Sequence, residues 1–542
     1  MEKVMTAKYD QEISQATKGI LLRKLYDSYS SYIKLCFTNM VILFMVFGGF
    51  YRSIFANGDT LWGAISPDDT FRARLENYRW LSAVFEGIFN KTGFLPALHL
   101  RPSLIFLIFS FALSLTLLQI AFWPLFFDVD FKEFSFRKHF SLRVHIYRLA
   151  FTVAFLNVLN CEFFYYTESM HIFAMSFIFM ALGVYLYSKE RYITGLIAFC
   201  MVSVTYQVTC LTAVIVMISY VYFYYKGHMD KRMFCRALFY AGTPSALFLL
   251  NYMTGPWILA VLNRMGFGGN PAKEVLVTMS PSELIRAYTG QLHDAFASSL
   301  NLTPELHLPL ILLLAAALLV TCVSIKRGRI ADIFTFLLYL LVMILCSFSL
   351  QIFVHPENFE VRLITPFTFM QAMLLLVLIF YSDASLLRNW VETASYALVI
   401  ITVCFNAFFI QCVIENRLLS ESLDYIYAEQ IFDYIRDYEL GTGNTVDEMA
   451  VVVDKNSKDF YSRVFFNKST VNKRCYDRYT WAFLQYCSSF TSIAGSLEGR
   501  QYKHVDMDDK LYQECFEGRD WKEFELKEQV VFSGNRVNIC VF

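Results

Sequence analysis

Long apolar runs separated by short polar ones dominate this chain. A bilayer core takes about 20 mostly apolar residues per helix. Eleven stretches meet that pattern: residues 35–55, 103–123, 146–166, 169–187, 191–205, 208–225, 237–261, 307–325, 331–353, 363–381 and 393–414. Only Tyr206 and Gln207 separate the fifth from the sixth. The expected fold is an α-helical polytopic membrane protein with about eleven transmembrane helices. Residues 1–34 are polar, and the first apolar run comes too late and is too long for a cleavable signal peptide.

Cytoplasmic loops collect Lys and Arg. Residues 1–34 carry Lys3, Lys8, Lys18, Arg23, Lys24 and Lys34, and the loop 124–145 carries Lys132, Arg137, Lys138 and Arg143. The loops 188–191, 226–236 and 326–330 are also basic, whereas 162–168, 206–207 and 354–361 hold no Lys or Arg. The alternation predicts a cytoplasmic N-terminal segment (1–34), a membrane domain (35–414) and a tail (415–542) on the outside. Two other long segments, 56–102 and 262–306, fall on that same face. In the tail, 417–438 has helical periodicity, with Leu423, Ile426, Tyr427 and Ile431 on one stripe. Residues 449–454, 529–532 and 537–542 read as strands, so a small α/β domain is expected. Cys475, Cys487, Cys515 and Cys540 of the tail form either two disulfides, with three connectivities open, or four thiols.

Composition sharpens this picture. The 542 residues are 56% hydrophobic and only 17% charged, with a mean hydropathy of +0.42. Soluble domains carry about 25% charge, so a disordered chain and a soluble enzyme are both excluded. Lys plus Arg and Asp plus Glu each number 47. No basic field points to nucleic acid.

The densest polar chemistry lies in the first outside loop, SPDDTFRARLENYRWLSAVFEGIF at 66–89. Asp68 and Asp69 are adjacent, and Arg72, Arg74 and Arg79 follow. Leu81, Val84, Phe85, Ile88 and Phe89 make an apolar stripe at helical spacing, with Glu86 and Asn90 off it. That is the pattern of a helix lying on a membrane surface. Two readings of the acid pair stand. Pro67-Asp68-Asp69 is a good helix start followed by a solvated face. Alternatively, a carboxylate takes a proton from an attacking hydroxyl while an arginine holds a leaving phosphate. Glu162 and Glu168 flank the second outside loop in an apolar setting, where acids need partners such as an arginine or His171. Gln207, after Tyr206, suits an interhelical hydrogen bond. Arg362 opens the tenth run, either snorkelling to the interface or meeting a lipid phosphate, and His355 is a weaker candidate beside it.

GxxxxGK[ST], GxGxxG after a strand, HExxH, paired CxxC and GxSxG are all absent. No cytosolic segment is large enough for a nucleotide-sugar domain, so a sugar donor would have to be lipid-linked already. Asn90, Asn301 and Asn467 begin N-x-S/T triplets, which matter only in a secretory pathway.

The arrangement resembles the Gtr-type polytopic glucosyltransferases of bacteria and their phages, which modify O-antigen and belong to the GT-C group. The resemblance lies in Asp68-Asp69, Arg72 and Tyr78-Arg79-Trp80-Leu81 of the first outside loop. Tyr206-Gln207 between two runs and Arg362-Leu363-Ile364-Thr365-Pro366 at a late run support it. It spans most of residues 35–414 and leaves the tail unmatched. It implies a GT-C-like bundle in a bacterial inner membrane, with the tail in the periplasm. The implied donor is a polyprenyl phosphate sugar, most simply undecaprenyl-phosphate glucose, and the acceptor is a hydroxyl of a lipid-linked glycan. Asp69 or Asp68 would be the general base of an inverting displacement. Arg72 and Arg362 would serve the phosphate, with Glu168, Tyr206 and Gln207 shaping the sugar pocket and Arg79 among the substrate-binding residues. Arginine-assisted departure requires no metal or other cofactor, although a divalent cation is compatible with it.

Other classes share the hydropathy pattern. A lipid or polysaccharide transporter or flippase would more often show internal repeats and broken helices near the midplane. No repeat is visible, although Gly255-Pro256 interrupts the seventh run. An O-antigen polymerase or ligase would use the same lipid-linked substrate without needing the first-loop acid pair.

Overall fold

A computed structural model of the chain describes residues 29–52, 67–128, 131, 141–267, 280–300, 302–352, 361–382, 388–453, 500, 502–519 and 525–541. His355, Cys475, Cys487, Asn301 and Asn467 lie outside the described residues. Chain order runs α1 (Tyr29–Arg52), α2 (Pro67–Glu76), α3 (Trp80–Thr92), α4 (Leu100–Phe126), α5 (Leu142–Thr152), α6 (Met170–Ser188) and α7 (Tyr192–Ser203). It continues through α8 (Val208–Tyr224), α9 (Lys231–Arg264), α10 (Pro281–Ser298), α11 (Leu308–Lys326), α12 (Ile330–Phe348), α13 (Thr365–Ser382) and α14 (Arg388–Thr442). After these come β1 (Glu448–Val453), β2 (Lys503–His504), α15 (Asp509–Cys515), α16 (Leu526–Gln529), β3 (Val530–Ser533) and β4 (Arg536–Val541).

Among the described residues, eight helical segments are long and apolar enough to cross a membrane: α1, α4, α6, α9, α11, α12, α13 and the first half of α14. The protein is a helical multi-pass membrane protein. Two more of the predicted spans fall on shorter apolar helices, α7 and α8. α4, α6, α8 and α13 are apolar on every side and form the centre, where α13 is 89% buried over its most apolar stretch. α9, α11, α12 and α14 pack around them and leave Met253, Trp257, Leu318 and Phe334 exposed. Such an apolar outer surface suits lipid rather than water. Inside, Asn39 of α1 donates to Thr116 and Gln119 of α4, at 3.0 and 2.9 Å.

The remaining predicted span, 146–166, is not one helix. α5 stops at Thr152, and the chain continues through turns and 3-10 helices at Val158–Phe164 and Thr167–Ser169. Irregular backbone at membrane depth survives only when protein groups satisfy it. Here Asn160 donates to the carbonyls of Ala154 and Phe155, and Thr368 donates to that of Ala154. Asn406 accepts from the Val158 N–H, and Asn157 bonds Gln371 at 3.2 Å. Asn157 and Asn160 were the sequence signal for this break. The seventh run differs in the opposite sense. α9 is continuous over 34 residues through Pro244 and Pro256, so Gly255-Pro256 does not end it.

α14 passes residue 415 without a break and carries the chain into the tail. There the strand order is β2-β1-β4-β3, with β1 parallel to β2 and β4 and β3 antiparallel to β4. Strand side chains alternate between faces. Met449, Val451, Val537 and Ile539 bury against Ala428, Ile431, Phe432 and Ile435 of α14. Of the predicted tail-helix stripe, Ile431 is in this core and Ile426 is exposed. The Leu423 and Tyr427 side chains lie outside the described residues. On the opposite face Cys540 is buried, and Leu511, Tyr512 and Cys515 of α15 are half-buried.

Candidate functional site

One end of the bundle gathers the polar residues of the first loop, the broken segment and the α7–α8 turn. α2 and α3 are joined by Asn77, Tyr78 and Arg79. Tyr78 holds a positive φ of 56°, uncommon for a bulky residue. Three contacts hold it there. Gln207 donates to the carbonyls of Asn77 (2.8 Å) and Tyr78 (3.3 Å). Asn251 of α9 donates to the carbonyls of Tyr78 (3.1 Å) and Ser203 (2.8 Å), and accepts from the Trp80 indole at 2.9 Å. The Tyr78 ring lies on Gly255, where a Cβ would stand 2.5 Å from the ring. Gly255 is therefore a close-approach glycine.

Arg79 donates to Gln207 at 3.4 Å, and its guanidinium lies 5.1 Å from the Tyr206 ring centre. Three predicted site residues, Arg79, Tyr206 and Gln207, thus form one group. Beside it is a cleft of about 360 Å³. Glu76, Asn77, Gln207 and Asn251 give it a polar side, and Phe248, Leu249, Tyr252 and Leu350 an apolar one.

α3 lies the opposite way round from an ordinary amphipathic helix. Val84 and Ile88 are 55% and 50% exposed, while Ser82, Ala83 and Glu86 are buried. Leu81 N–H and Ser82 Oγ donate to the carbonyls of Val204 and Thr205. The predicted apolar stripe thus faces outward, and Glu86 points in. Glu86 Oε1 stands 3.5 Å from Arg74 Nε and 3.7 Å from His171 Nε2. The other arm of Arg74 donates to Ser169 at 2.8 Å, and Ser169 donates to Glu168 at 2.8 Å. Burial pushes the Glu86 carboxyl up to about 7; Arg74 pulls it down and Glu168 raises it.

Arg362 and Glu162 form a separate buried pair. The Arg362 N–H donates to Glu162 Oε2 at 2.5 Å and its guanidinium to Oε1 at 3.4 Å. The guanidinium lies 3.9 Å from the Tyr166 ring centre. Arg362 already has a carboxylate partner, which a phosphate would have to displace.

Asp68 and Asp69 begin α2 at its solvent-facing end, where Asp69 pairs with Arg72 at 3.7 Å; the Asp69 and Arg72 side chains are 46% and 56% exposed. Asp69 is eight residues from Asn77, about 12 Å along the helix. The acid pair and Arg72 therefore do not line the cleft, and Glu76 is the carboxylate that does. Sequence reasoning assigned no role to Glu76, Trp80 or Asn251. A lone Asn in the apolar run 237–261, four residues before Gly255, was the one available signal.

Among the described residues, no group of three or more His, Cys, Asp or Glu is placed to hold a metal ion. Comparison with protein-family models, characterised proteins and solved structures gives no match.

Proposed function

We propose that the protein is an integral-membrane glycosyltransferase of a bacterial inner membrane. It moves a hexose, most simply glucose, from a polyprenyl phosphate to a hydroxyl of a lipid-linked glycan such as O-antigen. Its N-terminus lies in the cytoplasm, and the site and the C-terminal α/β part lie on the periplasmic side. The observation that carries this reading is the two-sided cleft, with amides and a carboxylate on one side and, on the other, apolar surface of α9 and of Leu350 in the 3-10 turn after α12. A lipid whose head is a phosphosugar presents that same division.

A second cavity, of about 480 Å³, lies along α9 and α12 over α8. Ser245 and Cys346 line it, about one turn from Phe248 and Leu350 of the cleft. From Met233 to Tyr252 the two together follow α9 for about 29 Å, close to the thickness of a hydrocarbon core. That trough suits an isoprenoid chain.

In the reaction the acceptor hydroxyl gives its proton to Asp69, or to the adjacent Asp68. Its oxygen bonds to the anomeric carbon from the face opposite the phosphate. The bond from that carbon to the phosphate oxygen breaks, polyprenyl phosphate leaves with the electron pair, and the configuration inverts. Arg72, beside Asp69, and Arg79, beside Gln207, supply positive charge for the leaving phosphate. Glu162 fixes Arg362 in the site wall, and Glu168 and Tyr206 close that wall. The cleft favours one variation: with the phosphate at Arg79 and Gln207, Glu76 is the carboxylate in reach and takes the base role.

Purified protein incubated with radiolabelled polyprenyl-phosphate glucose and a lipid-linked glycan extract tests the reading. Label moving to glycan supports it. Label staying on the donor, with the lipid crossing vesicles that contain the protein, replaces it with a transporter.

A further inference from the structure

A groove of about 390 Å³ lies between α11 and α14, both of which pack on α13. Its lining runs from Ala315 to Val323 on α11 and from Val391 to Leu398 on α14, about 12 and 10 Å along the two axes. Leu378 of α13, 3% exposed, is the floor. Leu318 and Ala394 on its rims are exposed, so the groove opens sideways, towards lipid. It lies at the far end of the bundle from the cleft. α12 runs from Ile330 to Phe348 between the two ends, about 28 Å, and Leu350 of the cleft follows it directly.

One mouth of the groove is basic. α11 ends at Lys326, one turn past Val323, and Lys326, Arg327 and Arg329 are all exposed. The Arg327 guanidinium lies 6.0 Å from the ring centre of Tyr381, which is one turn beyond Leu378. α14 starts at Arg388, one turn before Val391. The acids on neighbouring turns are engaged elsewhere: Asp332 is buried and 3.0 Å from His228, and Glu392 accepts from the Tyr396 hydroxyl. Trp390, next to Val391 in the chain, is 79% exposed. An exposed tryptophan at the end of a membrane helix marks the headgroup layer. The basic mouth is therefore at headgroup depth, and the apolar groove runs inward among the acyl chains.

We propose that this groove is a binding site for an anionic glycerophospholipid of the leaflet opposite the cleft. One acyl chain lies between α11 and α14, and the phosphate meets Arg327 and Arg329. Guanidinium groups bind phosphate oxygens by forked hydrogen bonds, and basic pockets between membrane helices take anionic headgroups. A zwitterionic headgroup carries its own cation and gains less there. A membrane helix of a partner, about 10 Å across and in contact over some 30 Å, does not match so short a recess. The site needs only the membrane bundle and does not rest on sugar transfer.

The test titrates the full chain, purified in detergent, with dioleoyl phosphatidylglycerol or dioleoyl phosphatidylcholine and counts bound lipid by native mass spectrometry. Wild type should bind phosphatidylglycerol at least roughly tenfold more tightly than phosphatidylcholine. Arg327→Gln/Arg329→Gln should weaken phosphatidylglycerol about thirtyfold, the equivalent of about 2 kcal/mol for two arginines at the surface, and leave phosphatidylcholine unchanged. Ala394→Trp fills the groove with every charge in place. It should weaken phosphatidylglycerol too, which attraction to the basic loop alone would not explain. Cys322→Trp, from the facing helix, should repeat that result. All four positions are exposed, so thermal unfolding in the same detergent should not change. Equal binding of the two lipids by wild type overturns the proposal. So does phosphatidylglycerol binding that neither tryptophan weakens, or that survives the double glutamine substitution.

Discussion

Removing Glu162 should damage the protein in a way that removing its partner as well partly repairs. Glu162 is 2% exposed and accepts both the backbone N–H and the guanidinium of Arg362. Glu162→Ala takes a buried carboxylate from beside the Arg362 guanidinium, which costs about 3–5 kcal/mol in comparable pairs. The orphaned N–H belongs to that same loss, at about 1–3 kcal/mol. Glu162→Gln keeps an acceptor for the N–H and loses only the charge, so it should fall between. Glu162→Ala/Arg362→Ala removes both charges of the pair. Its loss of unfolding free energy should fall short of the sum of the two single losses by about 2 kcal/mol, within the usual range for contacting residues. Detergent-titrated unfolding of wild type, Glu162→Ala, Glu162→Gln, Arg362→Ala and the double variant measures this coupling. Sugar transfer, in contrast, should stay low in the double variant, because the wall carrying Tyr166 has lost its anchor. Additive single losses would refute the argument, since they would mean the two side chains do not depend on each other.

Three further outcomes follow from individual contacts. Gly255→Ala places a methyl against the Tyr78 ring and should cost about 1–3 kcal/mol; adding Tyr78→Ala should recover most of that in the same unfolding assay. Gln207→Leu strands the carbonyls of Asn77 and Tyr78 and should lower transfer at least roughly tenfold, the equivalent of about 1.4 kcal/mol, with little change in protein yield. In the tail, Arg500 holds the Glu439 carboxyl below its ordinary value of 4.5, chiefly by hydrogen bonding. The stabilisation is present above 4.5 and is lost as pH falls through the lowered value; Glu439→Gln should erase that acid-side step in a tail-unfolding curve followed by circular dichroism.

Hydropathy made most of the bundle legible, because a membrane helix must satisfy its own backbone and present apolar side chains along some 20 residues. It failed at 146–166. Apolarity there reflects burial in protein, and Asn157 and Asn160 let the backbone leave the helix. Strand alternation located β1, β3 and β4 within a residue or two, since each buries one face on α14. In the site, Tyr206-Gln207 was visible as a polar interruption of an apolar stretch. Its partner was not, because Gln207 bonds carbonyls of Asn77 and Tyr78, and a carbonyl acceptor leaves no mark on residue type. The burial of Glu86 on α3 was not legible either. The apolar stripe of α3 faces outward, and its one buried acid, Glu86, looks in sequence like the solvent side of the helix.

The most direct measurement is transfer from radiolabelled polyprenyl-phosphate glucose to a lipid-linked glycan, run in parallel with wild type, Asp69→Asn, Asp68→Asn and Glu76→Gln. The account predicts labelled glycan with wild type and a loss of at least a hundredfold, the lower range for a general base, when the base is removed. A loss confined to Asp69→Asn or to Asp68→Asn places the chemistry at the exposed end of α2, and a loss confined to Glu76→Gln places it in the cleft. Full activity in Asp69→Asn, Glu76→Gln and Asp68→Asn, or no labelled glycan with wild type, would contradict the account.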